Sequence, residues 1–417
     1  MKKILALVLA VLFVLSLAAC GETADATKDQ QSAASSDFKM GAVLVGDENE
    51  GYTFAHIDGI KKAAAELGVA ESQIIFKYTI PEDEKCYDAC KDLAEQGCKL
   101  IITNSYGHQS YCQQAATEFP EIQFVSMTGD TAKASKLANF SNAFTNIYEA
   151  RYVAGVVAGM KVKELVDAGK ITDANKKDGK VKLGYVGAYP YAEVVSGYTS
   201  YFLGVQSVYK DVVMEVQYTN SWFDITAEGE AANALLSDGC VIIAQHADST
   251  GAPSAVQAAL EGGKVCYSVG YNVDMLSVAP DAALTSATNN WAAYYKEAIG
   301  LALKGEKVPT NWAKGYADGA VAITELGKSC AAGTQEKVDE TIAAIKAGTL
   351  HVFDTSKFTV GGKEVTSAFA TDTDGDFTPD ADEAVIDGYY HESDCELNQS
   401  APSFGLRIDG ITELNAG

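Results

Sequence analysis

The chain is short of positive charge: 32 lysines and arginines face 56 aspartates and glutamates, a formal charge of −24 over 417 residues. So acidic a surface argues against nucleic acid and anionic lipid as partners, because both call for a basic footprint. The motifs of several large enzyme groups are missing as well. There is no Gly-x-Ser-x-Gly elbow, no phosphate-binding glycine loop and no dinucleotide fingerprint, which removes the motif-borne hydrolases, P-loop enzymes and dehydrogenases. Five histidines are spread too thinly for a zinc site, whose ligands cluster. No apolar run reaches the roughly 20 residues of a membrane span.

What is present begins with a leader. Lys2 and Lys3 precede the apolar run Ile4 to Leu17, which ends in Leu17-Ala18-Ala19-Cys20. A basic head, an apolar centre and a small-residue cleavage site read as a secretory signal over residues 1–19. The ending resembles a bacterial lipobox, which implies lipidation of Cys20 and attachment to the membrane through that lipid; plain secretion with a chance cysteine is the alternative. Loss of Lys2 and Lys3 takes the charge from −24 to −26. Residues 20–37 are small, polar and aperiodic, as a flexible tether is. Of nine cysteines the other eight are scattered, apart from Cys86 and Cys90 one helical turn apart. A body of this size builds its core without disulfides, so free, packed thiols are expected.

The stretch from Met214 to Gly251 shows the plan in one unit. An extended run ends in a loop holding Trp222 and Phe223, a helix follows from Ile225 to Ser237, and Gly239 stops it. Cys240 to Ala244 is then apolar without alternation, as a strand covered on both faces is. This βαβ unit delivers Gln245 and His246 at the strand exit, where open parallel sheets bind ligands. The same alternation runs from Met40 to Met127, and the start of a second series, Leu183 to Gly187, echoes Met40 to Leu44. The expected fold class is α/β, with two similar lobes, each a parallel sheet flanked by helices. Lobe 1 is assigned residues 38–146 and 276–312, so that the strand Leu284 to Ala287 returns to it. Lobe 2 takes residues 147–275 and 313–417, with the C-terminal tail wrapped around it.

Residues just past each strand form the candidate site: Tyr52, Phe54, Asn104, Tyr106, Tyr189, Trp222, Gln245, His246, Asp248, Tyr271, Asn272 and Asp274. Aromatic faces stack on planar rings and amides read polar edges, so this lining suits an uncharged heteroaromatic small molecule. Some aromatics, Phe223 and Tyr191 first, are expected only to cap the lobe cores. Competing chemistry is weaker. His246, Asp248 and Ser249 lie too close along one loop to face each other as a catalytic triad. Asp224 and Glu228 fit the dipole of a helix N-terminus. His108 and Cys112, with His56 and His246 elsewhere, make a sparse metal set, and no metal or cofactor is expected. Asp372, Asp374, Asp376, Asp380 and Glu383 follow calcium-loop spacing, but Gly375 and Phe377 do not fit its turn, leaving a solvated acidic turn.

Together, Leu17 to Cys20, Gly51 to His56, Tyr148 to Gly155, Gly184 to Gly187, Asn220 to Asp224 and Gln245 to Ser249 resemble the basic membrane protein family of bacterial ABC-transporter substrate-binding lipoproteins. The likeness spans about Met40 to Ala322. It implies a two-lobed type I periplasmic-binding-protein fold that clamps a purine nucleobase or nucleoside between aromatic rings, with an ABC permease as partner. The family pattern maps onto Tyr52, Phe54, Asn104, Tyr106, Tyr189, Trp222, Asn272 and Asp274. Two departures bear on the ligand: Asn272 stands where nucleoside-binding members carry an aspartate for ribose, and Asn289 where they carry a lysine. With the Trp222 and His246 loops, this tilts the expectation towards a free base. The expected protein is a monomeric, lipid-anchored receptor on the extracytoplasmic face, and not an enzyme. An extracytoplasmic hydrolase using His246 as base, and a sensor without transport, are the alternatives.

Overall fold

The computed structural model describes residues 37–370, 382–394 and 400–416. The signal segment, Cys20, and Asp372 to Asp380 of the acidic turn lie outside them. Glu383, the last of that acidic series, accepts the backbone N–H groups of Ala368 at 2.8 Å and Val385 at 3.0 Å.

The first series is β1 (Met40–Val43), α1 (Gly51–Glu66), β2 (Ile74–Lys77), α2 (Glu84–Glu95), β3 (Leu100–Thr103), α3 (Gln109–Glu118), β4 (Gln123–Met127), the single turn α4 (Ala132–Ser135) and β5 (Phe140–Thr145). Every residue of β1 and β3 is buried, since their apolar runs offer no face to water. Asp83 starts α2 by accepting the Lys85 N–H at 2.9 Å. After Asn146 the long helix α5 (Ile147–Asp167) opens the second series: β6 (Lys176–Lys177), β7 (Lys180–Gly187), α6 (Ala192–Val208), β8 (Val212–Tyr218), α7 (Ile225–Asp238), β9 (Ile242–Gln245), α8 (Gly251–Glu261), β10 (Tyr267–Tyr271) and β11 (Ala283–Asn289). Gly239 closes α7 at φ +99°, a left-handed conformation that costs glycine little. The chain then gives α9 (Trp291–Leu303), β12 (Asn311–Lys314), β13 (Val321–Ile323) and α10 (Thr334–Lys346). The tail holds two small hairpins, β14 (Thr359–Val360) with β15 (Lys363–Glu364) and β16 (Val385–Ile386) with β17 (Tyr389–Tyr390), and ends in β18 (Ile411–Glu413).

Two sheets result, in the orders β2-β1-β3-β4-β5-β12 and β18-β8-β7-β9-β10-β11-β13. The first is parallel throughout; in the second, β13 and the short β6 run antiparallel. Both repeat one winding: β1 lies between β2 and β3, and β7 between β8 and β9. The winding reverses at that point, and a crevice opens beyond the carboxyl ends of the strands. One expected placement is corrected. β11 pairs with β10 and β13 and so completes the second sheet, and the return to lobe 1 comes after it, at Asn290. A strand of mostly small and hydroxyl side chains carries no mark of which sheet it will extend; only its pairing decides.

Helices α5 and α6 touch backbone to backbone: a Cβ on Gly155 or Gly204 would strike the Tyr201 or Tyr152 carbonyl of the other helix. The tail folds back on itself through Glu392, which is buried and accepts the N–H groups of Ser403 at 3.0 Å and Phe404 at 2.9 Å. Seven cysteines among the described residues are free, and Cys86, Cys90, Cys98 and Cys112 sit in one core cluster of lobe 1. No helix among the described residues is long and apolar enough to cross a membrane.

Candidate functional site

The loops after β1 to β4 on one lobe and after β7 to β9 on the other, with the end of β10, enclose a cavity of about 420 Å³. That lies within the ~300–1,000 Å³ of small-molecule sites. Seven of the twelve residues expected from the sequence line it: Tyr52 and Tyr106 from lobe 1, and Tyr189, Trp222, His246, Asp248 and Tyr271 from lobe 2. The rings form a continuous wall. Trp222 meets Tyr189 edge-on at 5.2 Å and His246 at 6.4 Å, and His246 lies 5.1 Å from Tyr271. At the rim Tyr106 faces Tyr191 across the lobes at 6.2 Å. The Asp248 N–H bonds the Trp222 carbonyl at 2.8 Å, which ties the loops after β8 and β9 into one piece.

The other five expected residues sit elsewhere, each for a local reason. Phe54 is 46 % exposed on α1 and lines an adjoining groove with Ile225 and Val273, which shares Phe223 and Asp248 with the cavity but leaves Phe54 off its lining. Asn104 is buried and turned to the backbone, accepting the Val45 N–H at 2.8 Å. Gln245 donates to the Ala247 and Ser249 carbonyls at 2.7 and 2.9 Å, shaping the His246 loop from behind. Asn272 donates to the Asp248 carboxylate and accepts from Asn289 at 3.0 Å, so it holds a lining residue without lining the cavity. Asp274 is exposed and caps its own turn through the Leu276 N–H at 2.8 Å. Nor do Phe223 and Tyr191 cap lobe cores: Phe223 lines the cavity and Tyr191 stacks on Tyr189 at its mouth.

Sequence reading missed the carboxylates Asp47, Glu50 and Glu193 on the lining. Glu193 lies in the first turn of α6, where an acidic residue is expected for the helix dipole alone and so gives no signal. It also missed Thr79 and Thr128, which line the cavity with φ of +52° and +62°. That conformation is an outlier for a β-branched residue, and such strain gathers at ligand sites.

Among the described residues no lysine or arginine lines the cavity. Burial, with the charges of Glu50, Glu228 and Glu193, raises the Asp248 carboxyl well above its usual range, so it tends to keep its proton. His246 is pushed down to about 4, by burial first and then by Arg151, against the pull of Glu193. Its Nε2 lies 3.0 Å from Glu193 Oε1. Ser249, the nucleophile that a hydrolase reading requires, is turned away, its hydroxyl accepting the Gly251 N–H at 3.0 Å. Asp224 caps α7 through Thr226 and Ala227, and Glu228 accepts the Ser249 N–H. His56 and His108 are core residues: His56 stacks on Trp291 at 4.4 Å and His108 bonds the Ile80 carbonyl at 2.9 Å. No group of three or more His, Cys, Asp or Glu among the described residues is placed to hold a metal ion.

Comparison with known proteins adds to this geometry. A family model described as ABC transporter substrate-binding protein, PnrA-like, matches residues 42–355. A purine-binding protein of Brucella abortus is 32 % identical over 76 % of this chain and 83 % of its own. A putative ABC transporter glucose-binding protein of Haloferax volcanii is 27 % identical over 74 % of this chain and 72 % of its own. Among solved structures, a solute-binding protein of an ABC transporter system from Aeropyrum pernix K1 superimposes with a TM-score of 0.62 at 17 % identity, over 76 % of this chain and 93 % of that one.

Proposed function

Since the chain belongs to the PnrA-like family of ABC transporter substrate-binding proteins, we propose that it is the lipid-anchored receptor of an importer and closes its two lobes over a purine, a free base in preference to a nucleoside. The observation that carries this is the lining of the cavity: aromatic rings from both lobes, acidic and neutral polar groups between them, and no cation. Rings supply stacking, worth roughly 1–3 kcal/mol per base. Glu193 is placed to accept, and a protonated Asp248 to donate, so a ring with both donors and acceptors on its edges is satisfied. Charge sets the other limit: without a cation on the lining, a nucleotide phosphate would enter unpaired. Asn272, spent on Asp248 and Asn289, leaves no carboxylate at that position for a ribose. Lobe closure follows from ligand contacts that only the closed arrangement makes.

The test is calorimetric titration of the full chain with adenine, hypoxanthine, guanosine, AMP and glucose, followed by recovery of the ligand. Bases are expected to bind more tightly than the nucleoside, AMP not at all, and every ligand to return unchanged. Glucose binding in the absence of purine binding would move the reading to the sugar that names the Haloferax relative, and turnover would move it to an enzyme.

A further inference from the structure

Beneath the cavity runs a chain of four hydrogen-bonding side chains from four separate elements. Arg151 of α5, buried, donates from Nη1 to the Tyr185 hydroxyl at 2.7 Å and to the Gln245 carbonyl at 3.1 Å. The Tyr185 hydroxyl of β7 lies 3.4 Å from His246 Nδ1, and His246 Nε2 lies 3.0 Å from Glu193 Oε1. Arg151 also lies under the Tyr271 ring, 3.8 Å from its centroid, and Tyr271 lines the cavity. The packing leaves room for nothing larger: a Cβ on Gly197 would come within 2.8 Å of His246 Nδ1 and 3.0 Å of Arg151 Nε.

The two ends of this chain fix its direction. A guanidinium only donates and an ionised carboxylate only accepts. The hydrogens therefore run one way, from Arg151 to the Tyr185 oxygen, from the Tyr185 hydroxyl to His246 Nδ1, and from His246 Nε2 to Glu193. This order holds only for a neutral imidazole with its hydrogen on Nε2. A protonated ring would donate from both nitrogens, turn the Tyr185 hydroxyl away, and pair with the charge of Glu193. The groups facing His246 are Glu193 from α6, Tyr185 from β7, Arg151 from α5, Tyr271 from β10 and Asp248 on its own loop, and of these Arg151 alone is a cation. Among the described residues Glu193 makes a single hydrogen bond, the one to His246, and its carboxylate lines the cavity.

We propose that Arg151 is a positioning residue for ligand selection: through Tyr185 and His246 it holds the Glu193 carboxylate as a fixed acceptor at the cavity wall, so that the site takes a neutral planar ring only if the ring donates an N–H. This rests on the cavity being the purine site, and the experiment separates the two. Imidazole ¹⁵N NMR of the full chain reads His246 without any ligand. Wild type is expected to stay neutral, with hydrogen on Nε2, from pH 8 to pH 5. Arg151→Met raises the His246 midpoint by about two pH units, while Arg151→Lys, which keeps the charge, stays near wild type. Adenine affinity is then measured at pH 8 and pH 5.5. The acid loss is about fivefold greater in Arg151→Met than in wild type, with Asp248 and Glu50 present in both proteins. Glu193→Gln loses about tenfold or more at both pH values. An unmoved midpoint in Arg151→Met, or hydrogen on Nδ1 in wild type, overturns the proposal. If Arg151→Met does not fold, Tyr185→Phe cuts the same relay, and an unchanged His246 tautomer and midpoint there overturn it equally. Failure of wild type to bind any purine would sink the proposed function instead, with the NMR result still deciding whether the relay exists.

Discussion

Trp222 sits where the loops after β8 and β9 are joined, and its ring forms much of the lobe 2 wall. Trp222→Ala removes one stacking face and leaves the backbone bond to Asp248 in place. Purine affinity should fall by about tenfold or more with little change in melting temperature, since stacking is worth roughly 1–3 kcal/mol and the ring is only partly buried. An unchanged affinity by calorimetry would take Trp222 out of the site. Asn272 makes a different case, because its φ of +62° suits Asn and Asp alike. Asn272→Asp keeps the backbone but replaces the donor to Asp248 with a second carboxylate in a buried setting. Stability should drop by about 1–3 kcal/mol in urea denaturation, and ligand affinity should drop with it. Legibility at this scale follows side-chain reach. The aromatics at the strand ends could be read from the sequence because large rings at those positions project into the crevice. Asn104, Gln245 and Asn272 were misplaced because an amide can turn to the backbone as readily as to a ligand, and a sequence does not say which.

Helices α5 and α6 set the next scale. Their contact at Gly155 and Gly204 leaves no room for a methyl group, and the atoms in the way belong to backbone, which cannot rotate aside. Gly155→Ala should cost about 1–3 kcal/mol by thermal or urea unfolding. It should also shift the His246 NMR signal, because Arg151 lies one turn earlier on the same helix. A stability loss with an unmoved His246 signal would show that α5 adjusts below Gly155 and leaves the relay alone. The close approach of α5 to α6 leaves no mark in the sequence, since small residues in two distant segments meet only when both are packed.

For the whole molecule, acid and base should act through the tail. Burial raises the Glu392 carboxyl to about 8, although the Ser403 and Phe404 N–H groups pull the other way. The folded form then holds a proton that the unfolded chain releases above the usual glutamate range. Stability contributed by that proton is present at low pH and is lost as pH rises from about 5 towards 8. Glu392→Gln, which mimics the protonated state, should flatten this fall, by on the order of 1–3 kcal/mol between pH 5 and pH 8 in denaturation curves. Equal slopes in wild type and variant would show that Glu392 is ionised throughout. The N-terminus has its own test: a fatty-acid probe fed to producing cells should label the wild type and fail to label Cys20→Ala.

The sequence by itself determined the α/β alternation, the doubled series and the crevice to which the strand ends point, because hydrophobic period and glycine stops act within a few residues. Packing decided what no local pattern records. It drew β11 into the second sheet, exported Phe54 to another groove, and set Glu193 of α6 and Arg151 of α5 at opposite ends of one hydrogen-bonded line. Those outcomes depend on contacts between segments far apart in the chain, where the partner that satisfies a buried polar group is chosen by distance in space.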